Sequence, residues 1–341
     1  MSKTASVRTP LTRHSGFVIL SSSVIRHSSF SPVTPLRSIA DLSRLPGPLF
    51  LAIGVFDGVH LGHQAVLRRA LDDARKAGDT AVAVTFDPHP IRVLRPELAP
   101  RLLTSTPHKL QMIRNLGVAH LLLIPFDHAF AATEPADFIR SLVAAARPLR
   151  EICVGFEWSF GKGRAGNLAL LEKLGAELGF AEVGVPAVEV DGEIVSSTLI
   201  RRAVETGGLD RAARLLGREF TILGTVVEGD HIGKTLGFPT ANLSAHNEQF
   251  PPNGVYAVEA RRGAQILPGV VNIGVRPTIK NASGERVLEV HLFDFDETIY
   301  GEDLEITFRQ FLRPEQKFPS LDALREQIAQ DAEQARAVLS K

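Results

Sequence analysis

From Leu49 onward the chain alternates between apolar runs and amphipathic stretches. LFLAIGVF (49–56) is almost unbroken apolar sequence, which predicts a strand buried on both faces of a parallel sheet. In HQAVLRRALDDARKAG, Val66, Ala70, Leu71, Ala74 and Ala77 recur at helical spacing, and Gly78 offers a stop. TAVAVTF (80–86) predicts the next buried strand. There follow a helix opened by Thr106-Pro107 and closed near Gly117, the run LLLIPF (121–126), and a helix over about Ala136 to Ala146. EICVGF (151–156), a helix from Leu168 to Leu178 and a strand VGVPAVEV (183–190) complete the series. Strands alternating with helices predict βαβ units and an α/β domain with a parallel sheet.

After about Gly217 the pattern changes. FTILGTVVEG, GVYAVEARR, PGVVNIGV, RVLEVHLFDF and LEITFRQFL are strand-like runs separated by Gly, Pro and Asn turns. Many short strands joined by turns predict a small antiparallel barrel or sandwich. An amphipathic helix from Ser320 to about Leu339 is expected to cover one end. The expected organisation is a leader over 1–45, an α/β domain over 46–205, a linker over 206–218 and a β-barrel domain over 219–341. Leu199 to Leu216 reads as helical and joins the two domains. The stretch Met1–Ala40 contains no Asp or Glu, five Lys/Arg and many serines. A transit peptide has that composition, but so has a disordered tail or the product of a start codon set too far upstream, and a disordered leader is the reading taken.

Composition narrows the function classes. The 341 residues carry 38 Lys+Arg against 38 Asp+Glu, for a net charge of zero. Neutral charge and an aromatic share of 6% argue against a nucleic-acid-binding role and against capture by anionic membranes. No apolar run approaches the roughly 20 residues that span a bilayer. The single cysteine, Cys153, forms no internal disulfide and builds no thiolate metal site, so a reducing, cytoplasmic setting is expected.

Three stretches carry candidate chemistry. GVFDGVHLGHQ (54–64) follows a strand and opens a helix, which puts His60 and His63 where backbone N–H groups and the helix dipole favour an anion. Two histidines there can stabilise charge on a transferring phosphoryl group; Gly58 and Gly62 permit the turn and a close approach. VSSTLIRR (195–202) offers Ser196 or Ser197 as a helix cap, with Thr198 and Arg201 three apart on one face. Hydroxyls and a guanidinium at a helix start suit a triphosphate, although a plain cap and a solvated arginine give the same letters. GDHIGKTLGFPTANL (229–243) nearly imitates a Walker A loop but is one residue short and lacks the strand–loop–helix setting. Within it Thr240 and Asn242 alternate along an extended segment, so both oxygens can point one way and hold magnesium. Glu289 alternates with His291 and is a candidate general base, though a solvent-facing strand carboxylate fits the alternation better.

Two motifs are decoys. Gly161-x-Gly163-x-x-Gly166 has the letters of a dinucleotide fingerprint but belongs to the fourth strand rather than the first βα turn. Asp294-Phe295-Asp296-Glu297-Thr298 resembles the nucleophile motif of haloacid-dehalogenase-type phosphatases, yet only 43 residues follow Thr298, too few for that fold's remaining βα units.

Taken together, GVFDGVHLGH, TFDPHP (85–90), PFDHAFA (125–131), VSSTLIR (195–201), LGFPTANL (236–243), NIGVRPT (272–278), EVHLFDF (289–295) and LRPEQKF (312–318) resemble the bacterial bifunctional riboflavin kinase/FAD synthetase family, from about Ser31 to the C-terminus. The resemblance implies a nucleotidylyltransferase-like α/β domain that adenylylates FMN with ATP to give FAD and pyrophosphate, and a barrel that phosphorylates riboflavin with MgATP. It implies His60, His63 and Glu289 as catalytic, and Thr240 and Asn242 as ligands of Mg2+. It further implies Gly54, Phe56, Asp57, Gly62, Ser197, Thr198, Arg201, Gly229, Gly233, Lys234, Gly237 and Pro239 at the nucleotides, and Glu157 and Arg313 at the flavin. The implied partners are riboflavin, FMN and ATP, and a monomer or weak homo-oligomer is expected. Val55, Phe156-Glu157-Trp158, Lys234 and Glu219-Phe220 depart from the family pattern, and Lys234 keeps the charge of a usual arginine without its bidentate fork. Two rival readings are an enzyme that keeps one activity and a flavin carrier without turnover.

Overall fold

The computed structural model describes residues 34–229, 237–278 and 281–340. The positions 233 and 234 of the kinase-loop reading, and residues 1–33 of the leader, lie outside them.

The N-terminal domain is a five-stranded, all-parallel sheet in the order β3-β2-β1-β4-β5. The strands are β1 (Leu49–Ile53), β2 (Thr80–Asp87), β3 (His120–Pro125), β4 (Leu149–Gly155) and β5 (Ala181–Val185). Apolar side chains on both faces explain their unbroken hydrophobic runs. One face packs Leu51, Val84, Ile124 and Ile152 against Ile139 and Leu142 of α5 (Pro135–Ala145) and Leu171 of α6 (Leu168–Leu178). The other packs Phe50, Ala52 and Ala83 against Leu67, Ala70 and Ala74 of α1 (Leu61–Ala77) and Ile113 of α3 (Thr106–Asn115). Strand order reverses between β1 and β4, and in open α/β sheets ligands bind beyond the strand ends at that switch point. Short helices α2 (Pro90–Leu94) and α4 (His128–Ala131) lie in the connections.

Two expectations are corrected here. Part of the segment read as a leader belongs to the domain: Leu36 bridges to Leu122, a 3₁₀ turn spans Ile39–Arg44, and Leu42 is buried in the core. A capping box between Ser38 and Asp41 fixes that turn. The strand expected over 183–190 ends at Val185, because Pro186 has no N–H to offer a ladder. Beyond it, β6 (Glu189–Val190) and β7 (Glu193–Ile194) form a hairpin whose tip, Asp191-Gly192, has two positive φ angles, as a two-residue turn of this kind requires.

The C-terminal domain is a closed antiparallel barrel in the order β10-β11-β12-β9-β8-β13. Its strands are β8 (Thr221–Val227), β9 (Ala241–Ala245), β10 (Gly254–Arg262), β11 (Gln265–Thr278), β12 (Asn281–Leu292) and β13 (Asp303–Arg313). Closure gives each strand a neighbour on both sides, although β12 meets β9 only over Leu288–Val290. The segment between the domains forms α7 (Ser197–Glu205) and α8 (Leu209–Leu216), whose Ile200, Val204, Leu215 and Leu216 share one core with Ile222, Val258, Leu288 and Ile306 of the barrel. The last helix, α9 (Leu321–Leu339), lies across the barrel with Ala335 against Val255, Val270 and Phe293.

Candidate active sites

The first site is built by the turn from β1 into α1. Phe56 (φ 55°) and Val59 (φ 40°) are left-handed without being glycine, and Gly58 joins them at φ 83°. A β-branched residue there is a genuine outlier, costing on the order of 1–3 kcal/mol, and persists only if its surroundings over-determine it. They do. The Gly58 N–H donates to Thr104 Oγ1 (3.0 Å), Gln64 Nε2 donates to the Val59 carbonyl (2.9 Å), and Arg218 reaches the Gly58 carbonyl (2.9 Å).

His60 caps α1, its Nδ1 accepting the His63 N–H at 3.3 Å. The two imidazoles stack at 3.6 Å with 20° between planes, and the edge of Phe56 meets His63. A Cβ on Gly62 would stand 3.1 Å from the His60 ring, so the close approach favours glycine. Burial pushes the His60 pKa down to about 4, helped by Arg218 and Arg201 and opposed by Asp57. Burial and then the neighbouring His60, Lys109, Arg201 and Arg218 push His63 well below the ordinary value. Both are neutral at pH 7. Because His60 Nδ1 accepts, its proton sits on Nε2. The buried Nδ1 of His63 has no hydrogen-bond partner among the described residues.

His63 opens onto a cleft of about 270 Å³ that Val55, Asp57, His89, Ser197, Thr198 and Arg201 also line. The sequence-predicted α7 residues are thus brought to the histidines across more than 130 positions of chain. Ser196 is the helix cap, accepting from Leu199 N–H, while the Ser197 hydroxyl donates to the Asp57 carbonyl at 3.0 Å. Arg201 pairs with the buried Asp57 carboxylate and donates to the Arg101 carbonyl. Asp57 also accepts from the Leu103 and Thr104 N–H groups, so its carboxylate is committed to holding protein. Gly54 and Phe56 support the turn, the glycine lying against the Phe56 ring. Glu157 is exposed just beyond the end of β4, the neighbour of β1.

Sequence reasoning missed Lys109. Its ammonium is buried and donates to the Val55 carbonyl, Thr85 Oγ1 and the Phe86 carbonyl, and burial lowers its pKa to about 8. A lone lysine in an amphipathic helix carries no sign that it turns inward.

The second site lies in the barrel. Glu289 on β12 pairs in register with Asn242 on β9 and with Asn272 on β11, so the three share neighbouring positions of one ladder. Asn242 is buried, and its Oδ1 has no hydrogen-bond partner among the described residues. Gly229 packs on this amide so closely that a Cβ would lie 1.8 Å from Asn242 Nδ2. Thr240 is exposed two residues before, and the Pro239 carbonyl accepts from His291 Nδ1 at 2.8 Å. Gly237 takes φ 84° at the edge of the described loop. The orphan amide oxygen of Asn242, in register with Glu289 and two residues from Thr240, is a hard oxygen donor of the kind that suits magnesium. No cluster of three or more His, Cys, Asp or Glu suited to a metal occurs among the described residues. Arg313 forms a bidentate pair with Asp331 of α9 and lies over Phe318.

A parallel α/β domain with a histidine-capped anion site, joined to a closed barrel with an oxygen-lined polar pair, defines a two-domain nucleotide-dependent transferase. Residues 43–199 match the family model for FAD synthetase, and residues 216–339 the one for riboflavin kinase. The chain is 40% identical over 303 residues to the bifunctional riboflavin kinase/FMN adenylyltransferase of Escherichia coli K12, covering 88% of this chain and 96% of that protein. The same-named protein of Haemophilus influenzae is 36% identical, over 89% and 98% of the two chains. That of Pseudomonas fluorescens is 38% identical, over 84% and 91%. A solved structure of a Streptococcus pneumoniae protein named for macrolide efflux superposes with a TM-score of 0.75 at 29% identity, covering 90% of this chain and 99% of that one. The chain belongs to the bifunctional riboflavin kinase/FMN adenylyltransferase family. It is an enzyme of FAD biosynthesis, with the kinase in the C-terminal domain and the adenylyltransferase in the N-terminal one. No helix among the described residues is long and apolar enough to cross a membrane.

Proposed function

We propose that each domain performs its step with the residues gathered above. In the barrel, the Glu289 carboxylate accepts the proton of the riboflavin 5′-hydroxyl as that oxygen attacks the γ-phosphorus of ATP, forming FMN and ADP. The observation that carries this is the register pairing of Glu289 with Asn242, whose carbonyl oxygen is buried without a partner. Asn242 and Thr240 would hold Mg2+, which neutralises phosphate charge when bound. Gly229, Gly237 and Pro239, with Gly233 and Lys234, would border the ATP phosphates.

In the α/β domain, a phosphate oxygen of FMN attacks the α-phosphorus of ATP, and pyrophosphate leaves. The neutral His60 and His63 donate hydrogen bonds to charge that grows on the phosphoryl oxygens, and no proton need be removed from the histidines first. His63, which lines the cleft with Thr198 and Arg201 and is stacked on the buried His60, carries this reading. Gly54, Phe56, Asp57, Gly62 and Ser197 shape the nucleotide site; Asp57 and Ser197 act by holding protein rather than substrate. Glu157, beyond the end of β4 at the switch point, and Arg313, paired with Asp331, would be the flavin contacts. The protein works in the cytoplasm as a monomer or weak homo-oligomer.

The test is chromatography of purified protein with riboflavin and MgATP and, separately, with FMN and MgATP. FMN that appears and then yields to FAD, with pyrophosphate released in the second step, is expected. Bound flavin without either product would overturn the reading in favour of a carrier.

A further inference from the structure

The turn that sets His60 and His63 is not finished by its own domain. Arg218, inside the stretch matched by the riboflavin kinase model and three residues before β8, reaches back into it. One guanidinium nitrogen, Nη2, donates to the Gly58 carbonyl at 2.9 Å and lies 2.9 Å from Met112 Sδ; the other, Nη1, donates to the Val59 carbonyl at 3.3 Å and the Leu216 carbonyl at 3.5 Å. The Gly58 and Val59 carbonyls belong to the left-handed residues just ahead of His60. Gln64 repeats the arrangement, donating to the Val59 and Leu216 carbonyls at 2.9 and 2.7 Å. The strained turn is therefore tied twice to the end of α8.

Arg218 is a poor choice if filling space were the need. Its Nε is buried with no partner, and no carboxylate forms an ion pair with it among the described residues. Glu305, the acid nearest in effect, is taken by His108 and Arg261. Burial lowers the Arg218 pKa to about 10, a measure of the desolvation it suffers. A buried charge without a partner destabilises a fold relative to an apolar side chain of similar volume. A methionine would fill the space without that penalty, so the guanidinium is explained by what it holds.

We infer that Arg218 is a positioning residue for the adenylylation step, its guanidinium fixing the Gly58 and Val59 carbonyls so that the turn delivers His63 to the cleft with His60 stacked behind it. The inference rests on the reading of that cleft as the adenylylation site. It makes the geometry of one active site depend on a side chain contributed from the edge of the other domain. Displacing catalytic groups by about 1 Å costs on the order of 100-fold in rate.

The experiment measures both activities in one preparation of Arg218→Met and of Arg218→Lys, with His63→Ala alongside. In R218M, kcat for FAD formation from FMN is expected to fall about 100-fold while KM for ATP stays near wild type, since the lost contacts are to the turn and not to substrate. Riboflavin phosphorylation in the same sample stays at the wild-type level. R218K, which keeps the charge and some donors, recovers about tenfold over R218M. Wild-type FAD formation by R218M, or parallel loss of both activities, overturns the inference. Should R218M fail to fold, R218K decides: selective loss of FAD formation supports the role, and parity with wild type ends it. Retained FAD formation in H63A would instead sink the site reading itself.

Discussion

Gly229→Ala should silence the kinase while leaving the adenylyltransferase intact. Gly229 has no unusual backbone angle, so alanine meets no φ/ψ penalty and its methyl group is the whole perturbation. That methyl carbon would lie 1.8 Å from Asn242 Nδ2 and 2.5 Å from Cγ. Contact between such atoms needs about 3.5 Å, so the amide must retreat by well over 1 Å. Asn242 is buried on β9 between β8 and β12, in register with Glu289, which leaves its amide little room to retreat in place. A misplacement of about 1 Å at a catalytic constellation costs on the order of 100-fold, so riboflavin phosphorylation should fall at least that far. The apparent requirement for magnesium should rise with it. The assay is FMN formation from riboflavin and FAD formation from FMN, each followed by chromatography across a magnesium series. If G229A phosphorylates riboflavin at the wild-type rate, the Asn242 amide is either free to move or unnecessary, and the proposed role for it is wrong.

Other outcomes follow from the same geometry. His60 has a folded-state pKa near 4 against 6.5 unfolded, so below pH 6.5 the unfolded chain binds the proton and the folded one resists it. Stability of the α/β domain should therefore decline as pH falls from about 6.5 to 4, by up to about 3 kcal/mol, and H60Q should flatten that limb of a urea-midpoint-versus-pH curve. Asp57→Ala strips the partner from the part-buried Arg201 and from the Leu103 and Thr104 N–H groups, and should cost about 2–3 kcal/mol in the same urea titration, chiefly for the two N–H groups left unpaired. A loss under about 1 kcal/mol would mean that water replaces the carboxylate.

Much of this was legible in the sequence because it depends on local pattern. Unbroken apolar runs gave away strands covered on both faces, and the glycine-rich turn between LFLAI and the next helix marked the candidate site where His60 and His63 are found together. The strands of the barrel were readable one by one, but their cyclic order was not, since β9 pairs with β12 across a long stretch of chain. The short leader helix was missed because only Leu42 of its six residues is fully buried, too short a run for a helical period to show. Lys109 and Arg218 were missed for a different reason. Each is a charged side chain that folds inward onto backbone carbonyls, and only the tertiary structure says which carbonyls are there. The pairing of Arg313 with Asp331 was out of reach of the sequence for the same reason.

The central claim is that two separate sites carry the two steps. The most direct test compares His63→Ala with Glu289→Gln, each given riboflavin with MgATP and FMN with MgATP. H63A should make FMN and no FAD, while E289Q should make FAD from supplied FMN but almost no FMN from riboflavin. If either substitution abolished both activities in a protein that remains folded, the two-site account would be contradicted.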